Sequence, residues 1–516
     1  MAGWTLDELV RRYGLRTPTK PALISGERSL TWKELDHRVD RVAGALSGRG
    51  LAPGDRVAIL MANCPDYIEL YFGLARAGMI AVPVNYRLMP HEMAAILNQV
   101  EPRLVVAAAD YGDQVGGVLP LLDKTPALWA VGDDLPGSES YEALIAAAPQ
   151  TPTQSPVEDA DVFAIFFTSG TTGLPKGAMV SHRNLIANGF NQMIADGSRA
   201  DDINLMATPL YHMGAVFVGV TYMMLGCTQV ILPRFAPDAW LNAVRRHHAS
   251  VSLLVPTMLN SVLNAPEFAA ADLSSLRLIF YGGGPMPPAV LRRALADLPC
   301  GFTQGYGLTE TLEATFLVAA DHVLGGSEAQ TRRLASAGRE AVEAEVRIVD
   351  DDGRDVAAGV VGEVLVRSRS VISGYWNRPD ATAQAIRDGW FHTGDLGYLD
   401  DDRYLFIVDR KTDMVVSGGV NIYTKEIEAV LYSHPAVREA AVFGLPDQTW
   451  GEAVSAAVVL HPGACVSQAD LIAHCKDRLA GYKKPRRLWF LDDLPKNPSG
   501  KVLKRELRQS LGGTDR

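Results

Sequence analysis

Val162–Gly177 reads VFAIFFTSGTTGLPKG. A run of apolar residues leads into ten positions that hold three glycines, four hydroxyl side chains and one lysine. A short apolar run closed by a glycine cluster reads as a buried strand, and the segment opening with SHRNL at Ser181 reads as a helix. Strand, glycine-rich turn and helix in succession mark layered α/β structure. The loop itself suits phosphate. Glycines let backbone N–H groups crowd around an anion, hydroxyls add donors, and Lys176 adds a point charge. It does not fit the G-x-x-x-x-G-K-[ST] phosphate loop, because Lys176 follows Pro175 and precedes Gly177. Alone, the stretch can also be read as a solvated turn after a strand, since glycine-rich turns are common.

Outward from this loop the same alternation recurs. TWKELDHRVDRVAGALSGRG (31–50) has apolar residues at helical spacing and a glycine stop; GDRVAILM (54–61) reads as a strand. PDYIELYFGLARAG and MIAVPVN repeat the pair, as do HEMAAILNQVEP and RLVVAA. AWLNAVRRHHA, SVSLLVP and LRLIFYGGG continue it beyond the loop. This order predicts parallel βαβ layers. Past about residue 340 the texture becomes strands joined by Asp/Gly turns, over 344–368 and 400–423. A compact segment of mixed helices and strands fills 414–516, and the polar cluster DRKTD at 409–413 is the candidate hinge.

The chain has 516 residues, more than one core accommodates. Its net charge of −10 gives no general attraction to nucleic acid or anionic lipid, although YKKPRRLWF at 482–490 is a local basic patch. Five scattered cysteines show no CxxC or Cys/His metal spacing, which predicts reduced thiols in a cytoplasmic protein. The N-terminus is charged and amphipathic rather than a signal peptide, and the most apolar long window, 214–232, reads as buried core rather than a transmembrane span.

Four further stretches join the loop: YGGGPMP (281–287), GYGLTE (305–310), WFHTGD (390–395) and PKNPSGK (495–501), with DRKTDMVVSGG (409–419) between the last two. In this order and spacing they resemble the adenylate-forming superfamily of AMP-forming acyl-CoA synthetases, luciferases and peptide-synthetase adenylation domains. The resemblance spans nearly the whole chain. It implies an N-terminal AMP-binding domain over 1–411, of layered α/β sheets plus a β-barrel-like part, and a mobile α+β domain over 412–516. It also implies a ligase that uses ATP, Mg²⁺ and CoA on a carboxylic acid. Such an acid is a poor acyl donor until its oxygen carries AMP as leaving group, and the reacting groups are all anionic, so the site must supply donors and cations.

The resemblance assigns Thr168, Ser169, Gly170, Thr171, Thr172 and Lys176 to the β- and γ-phosphates. Gly282, Gly283, Gly284 and Pro285 would wall the adenine, with Gln304, Gly305, Tyr306 and Gly307 opposite and the Tyr306 ring stacked on the base. Thr309 would bond the α-phosphate and Glu310 would ligate Mg²⁺. Asp395 and Arg410 would hold the ribose, and Lys501 would reach the carboxylate and α-phosphate. Lys496 and Lys504 read as solvated neighbours. His212, in PLYHMG, reads either as a packed core residue or as a gate between acyl pocket and thiol tunnel; an Asp for an amino-acid ammonium is missing there. Ser417, Gly418 and Gly419 would border the pantetheine tunnel. Thr412 stands where the family's pivot is usually Asp or Lys.

The acyl pocket is expected from His212, Met213, Val216, Phe217, Tyr281, Gly283, Gly305, Leu312, Glu313 and Ala314, mostly apolar, which suits a fatty or aromatic acid. Glu313 either turns outward to solvent or pairs with a nearby Arg, or it sits at the polar edge of the pocket. Two competing readings remain: an acyl-AMP ligase that loads a carrier protein, and a nucleotide sensor without catalysis. A homodimer is compatible with the sequence.

Overall fold

The computed structural model describes residues 4–148, 157–168, 175–284, 286–418, 420–496 and 502–512. The chain divides into two compact units, Met1–Val346 with Val366–Phe391, and Arg347–Leu365 with His392–Arg516.

The larger unit holds two sheets. The first runs in the order Glu139–Ser140, Ala127–Val131, Leu104–Ala108, Arg56–Leu60, Ile80–Pro83, Val162–Thr168, Lys176–Ser181, parallel until its last pair. That pair is an antiparallel hairpin with Thr168 opposite Lys176, so the glycine loop is its connection. The second sheet runs Arg339–Glu340, Leu312–Leu317, Gly301–Leu308, Leu278–Gly282, Val251–Leu253, Ile203–Met206, Thr228–Ile231, Pro21–Ser25, Arg28–Thr31. Leu278–Gly282 lies parallel to both Val251–Leu253 and Gly301–Leu308, while Leu312–Leu317 turns back antiparallel.

The expected alternation of helix and strand holds because each helix carries its own start and stop. Trp32–Gly48 begins at a Thr31 capping box, Pro65–Ala77 begins on a proline and ends at Gly78 in the left-handed conformation, and His182–Asp196 begins at a Ser181 capping box. The apolar window is a buried helix, Met213–Met224, followed by the strand Thr228–Ile231. Among the described residues no helix is long and apolar enough to cross a membrane.

In the smaller unit, Trp390–Leu399 pairs antiparallel with Leu405–Arg410. A second sheet runs Val420–Ile422, Val415–Ser417, Gly451–Leu460, Val437–Asp447, with Arg487–Phe490 parallel to Gly451–Leu460. The helices Thr424–Tyr432 and Gln468–Lys476 bury Ile427, Leu431, Leu471 and Cys475 against one of its faces; Phe443, Leu494 and Leu507 pack on the other. This is the α+β texture expected of the C-terminal segment.

Candidate active site

One end of the glycine loop meets a carboxylate, and the other lies beside a tyrosine bonded to it. Thr168 Oγ1 donates to Glu310 Oε1 at 3.3 Å, and the Tyr375 hydroxyl donates to the same oxygen at 2.9 Å. Lys176 Nζ stands 5.1 Å from the centre of the Tyr375 ring. Burial, and then the charge of Glu310, raise the Tyr375 pKa, so the phenol keeps its proton and remains a donor.

A short strap, Ser370–Trp376, ties these pieces together. Its backbone bonds Glu310 through Ile372 N, Gly177 through Trp376 N, and Met179 N through Gly374 O, while Ser370 Oγ donates to Thr311 O. Glu310 itself lies at the turn between Gly301–Leu308 and Leu312–Leu317. That turn is tight: Leu312 has φ +51°, Thr311 Oγ1 accepts from Leu308 N, and a Cβ on Gly307 would lie 1.5 Å from the Leu312 carbonyl oxygen. Only glycine allows that backbone approach.

Gly283 and Gly284 emerge, exposed, from the end of Leu278–Gly282. The neighbouring parallel strand ends through Gln304, Gly305 and Tyr306. Both sets therefore lie at the carboxyl edge of parallel strands, where α/β sheets bind ligands.

Behind this edge, Met213, Val216, Phe217, Phe280, Leu312 and Phe316 share one core, with the Phe217 and Phe280 rings edge to face at 6.1 Å. His212 caps the start of Met213–Met224 with its ring 4.5 Å from that of Tyr211. Burial, and secondarily the charge of Arg87, push its pKa down to about 4, so the imidazole is neutral at pH 7. Glu313 is buried, and its Oε2 has no hydrogen-bond partner among the described residues. Its backbone N–H donates to Asn188 Oδ1 at 2.9 Å. Ala314 is fully buried, its carbonyl accepting from Ala341 N.

In the smaller unit the strand register sets Asp395 opposite Arg410, and Arg410 Nε lies 2.9 Å from Asp395 Oδ1. Asp395 is buried, and its N–H is fixed by the Thr393 hydroxyl at 3.0 Å. Asp409 accepts from both the N–H and the hydroxyl of Thr424. Gly418 has φ +58°, and a Cβ there would meet the Trp450 ring at 2.9 Å. Its neighbour Ser417 is buried.

Residues 10–376 match the model of the AMP-binding enzyme family, and residues 426–501 match that of the AMP-binding enzyme C-terminal domain. The chain belongs to the AMP-binding enzyme family. It is 39% identical over 521 residues to the fatty acid–[acyl-carrier-protein] ligase ScoC of Streptomyces coeruleorubidus, covering 99% of this chain and 97% of that protein. It is 39% identical over 506 residues to a feruloyl-CoA synthase of Amycolatopsis, covering 98% of each. The crystal structure of ATP-bound MatB from Rhodopseudomonas palustris superposes with a TM-score of 0.88 at 31% identity, covering 99% of this chain and 100% of that one.

For this AMP-binding enzyme the geometry brings together Thr168, Lys176 and Glu310 at one point, and Asp395 with Arg410 at another. Ser169, Gly170, Thr171, Thr172, Pro285, Gly419 and Lys501 lie outside the described residues. Two expectations need correction. Tyr281 does not stand beside Phe217 in the acyl pocket: adjacent strand residues face opposite ways, and its ring joins Phe302 and Ile279 in a separate core, with its hydroxyl against His322 Nε2 at 2.9 Å. Lys504 is not a solvated neighbour: its side chain is mostly buried and bonds Glu428 and the Thr424 hydroxyl at 2.8 and 2.7 Å. Lys496 likewise pairs with Glu439 and Asp493. Tyr375 joins Glu310 and Lys176 at the candidate site, a placement that the sequence does not disclose. Its signal, a tyrosine in SGYWNRP between strand-like runs, is indistinguishable from a packing aromatic until the strap carries it to Glu310.

Proposed function

We propose that the chain is an acid:CoA ligase that forms AMP from ATP. A carboxylate oxygen of the acid bonds to the α-phosphorus while the bond from that phosphorus to the pyrophosphate oxygen breaks. A thiol sulfur then attacks the acyl carbon and AMP leaves. The convergence of Thr168, Lys176, Tyr375 and Glu310 at the ends of a glycine loop carries this reading. It offers hydroxyls and a cation to phosphate beside a carboxylate suited to a phosphate-bound metal.

Glu310 suits Mg²⁺. Both hydroxyl bonds fall on Oε1 and fix the carboxylate, and a single carboxylate is what this ion takes when phosphates and water complete its shell. Bound there, the ion would offset charge between phosphates. Among the described residues no cluster of three His, Cys, Asp or Glu side chains would hold a metal alone.

In this reading Thr168 and Lys176 orient the β- and γ-phosphates, Thr309 donates to the α-phosphate and Tyr306 lies against the adenine. Asp395, steadied by Arg410, accepts the ribose hydroxyls. Lys501 meets the two anions as they join. His212, neutral, stands between acid and thiol without adding charge. Residues 412–516 swing between the two half-reactions, and Gly418 leaves room for pantetheine. The acid has an apolar fatty or aromatic body, as the names of the similar ligases suggest. The likeness to ScoC keeps a carrier-protein thiol as the second reading of the acceptor.

Acid-dependent exchange of pyrophosphate into ATP, followed by a thiol screen with CoA and with a carrier protein, tests the proposal. Lys501→Ala is expected to abolish exchange and largely to spare transfer from preformed acyl-AMP to CoA. Equal loss of both half-reactions would remove Lys501 from the adenylation step, and no exchange with any acid would remove the ligase reading.

A further inference from the structure

Glu313 is the one carboxylate among the expected pocket residues. It is 6% exposed, and its Oε2 is unpartnered among the described residues. The carboxyl group occupies the space that Gly305 leaves empty: a Cβ on Gly305 would lie 2.4 Å from Glu313 Oε2 and 2.5 Å from Phe280 Cζ. Register explains this, since Glu313 sits opposite Gly307 and so on the same face as Gly305. The group therefore stands close to the Phe280 ring, which itself meets Phe217 edge to face in the core behind the candidate site.

Behind Glu313 lies polar structure, not solvent. The Asn188 Nδ2 is also buried and, among the described residues, unpartnered, while its Oδ1 accepts from Glu313 N. Further along the same helix, Gln192 donates to Asp196 Oδ2 at 3.0 Å and accepts from the Thr221 hydroxyl at 2.8 Å. Burial above all, and then the negative charge of Asp196, push the Glu313 pKa up to about 8. At neutral pH the group is a carboxylic acid, with one donor and one acceptor. Orphaned buried polar atoms are rare in folded proteins and often mark a functional position.

We propose that Glu313 is a specificity residue that recognises a hydroxyl carried by the acid at a distance from its reacting carboxylate. A hydroxyl both donates and accepts, so it satisfies Glu313 whichever oxygen holds the proton. An alkyl or plain aryl group satisfies neither, and a second carboxylate would have to enter this buried place as an anion, with the loss of its hydration set against a single donor. This rests on the ligase reading and names the substrate class for it.

The test uses the full-length enzyme, pyrophosphate release, and matched acids: cinnamic against 4-hydroxycinnamic, octanoic against 8-hydroxyoctanoic and octanedioic. The wild type is expected to favour at least one hydroxylated acid over its plain partner by about tenfold or more in kcat/KM, and to reject the diacid. Glu313→Leu and Glu313→Met are expected to reduce that ratio at least about tenfold, whereas Glu313→Gln, which keeps a donor and an acceptor, holds it within about fivefold. Wild-type ratios within about twofold for every pair overturn the inference without any variant, as does an unchanged ratio in either apolar variant. Absence of pyrophosphate release with every acid instead overturns the ligase reading beneath it.

Discussion

Single side chains do unequal work here, and Tyr375 shows why. It donates to the Glu310 oxygen that Thr168 also reaches, and its ring underlies Lys176. Tyr375→Phe keeps the ring and removes one donor, a loss of about 0.5–1.5 kcal/mol in orientation of the carboxylate. Pyrophosphate exchange should fall roughly three- to tenfold with thermal stability little changed; an unchanged exchange rate would make Tyr375 a packing residue. Glu313 predicts a pH effect. Its folded pKa of about 8 lies above the ordinary 4.5, so its contribution to stability is complete below about pH 4.5 and is lost as pH rises to about 8. The stability of Glu313→Gln relative to wild type should therefore increase across that window, by at most about 1.4 kcal/mol per pH unit, and then level off. Thermal unfolding at pH 5, 6.5 and 8.5 checks the sign, and a difference independent of pH rejects it. At this scale the sequence was least legible. The family resemblance of the motifs implied a shared role for Thr168, Lys176 and Glu310, but not that Lys504 would be drawn into a buried bond with Glu428, nor which face Tyr281 would take. Those depend on which distant element packs alongside.

Among the elements, the hairpin Gly301–Leu308 and Leu312–Leu317 holds the most chemistry in the least space. Its tip presents Thr309 and Glu310 because the two strands close over Gly307 with Leu312 left-handed. Gly307→Ala would press a methyl group into the Leu312 carbonyl. It should destabilise the larger unit by roughly 3 kcal/mol and depress exchange further than stability alone explains, since the tip must open. Denaturant unfolding together with exchange assays would show this; a folded, fully active variant would mean that the tip has slack. Periodicity and caps made most helices and strands of the larger unit readable, because an amphipathic helix with its own start and stop needs no partner to declare itself. The strap Ser370–Trp376 was not readable. Three of its bonds run through backbone groups, which leave no mark on residue type, and the bonds of Ser370 and Tyr375 depend on partners distant in sequence.

For the whole molecule, the sequence suggested a boundary near residue 411, and the compact units divide elsewhere. The chain passes between them three times, after Val346, Leu365 and Phe391. A swing of the entire smaller unit would need three connections to move in concert, whereas residues 412–516 depend on the single connection at DRKTD. This favours the short cluster as pivot for the proposed motion. Thr412→Pro would fix φ there and restrict Lys411 before it. It should retain one half-reaction while slowing the other at least about tenfold, as expected when one pose is withheld. Acyl-AMP formation and thiol transfer measured separately decide this; equal rates relative to wild type would move the pivot elsewhere.

The triple passage also bears on how such a gene could be divided. A break at residue 346 would put the strap, and Tyr375 with it, on a different polypeptide from Thr168, Lys176 and Glu310. A break within 409–413 leaves all four on one product and the C-terminal sheet whole on the other. If this enzyme were ever made as two cistrons, or used as a split reporter whose halves must find each other in a cell, the tolerated seam is the second.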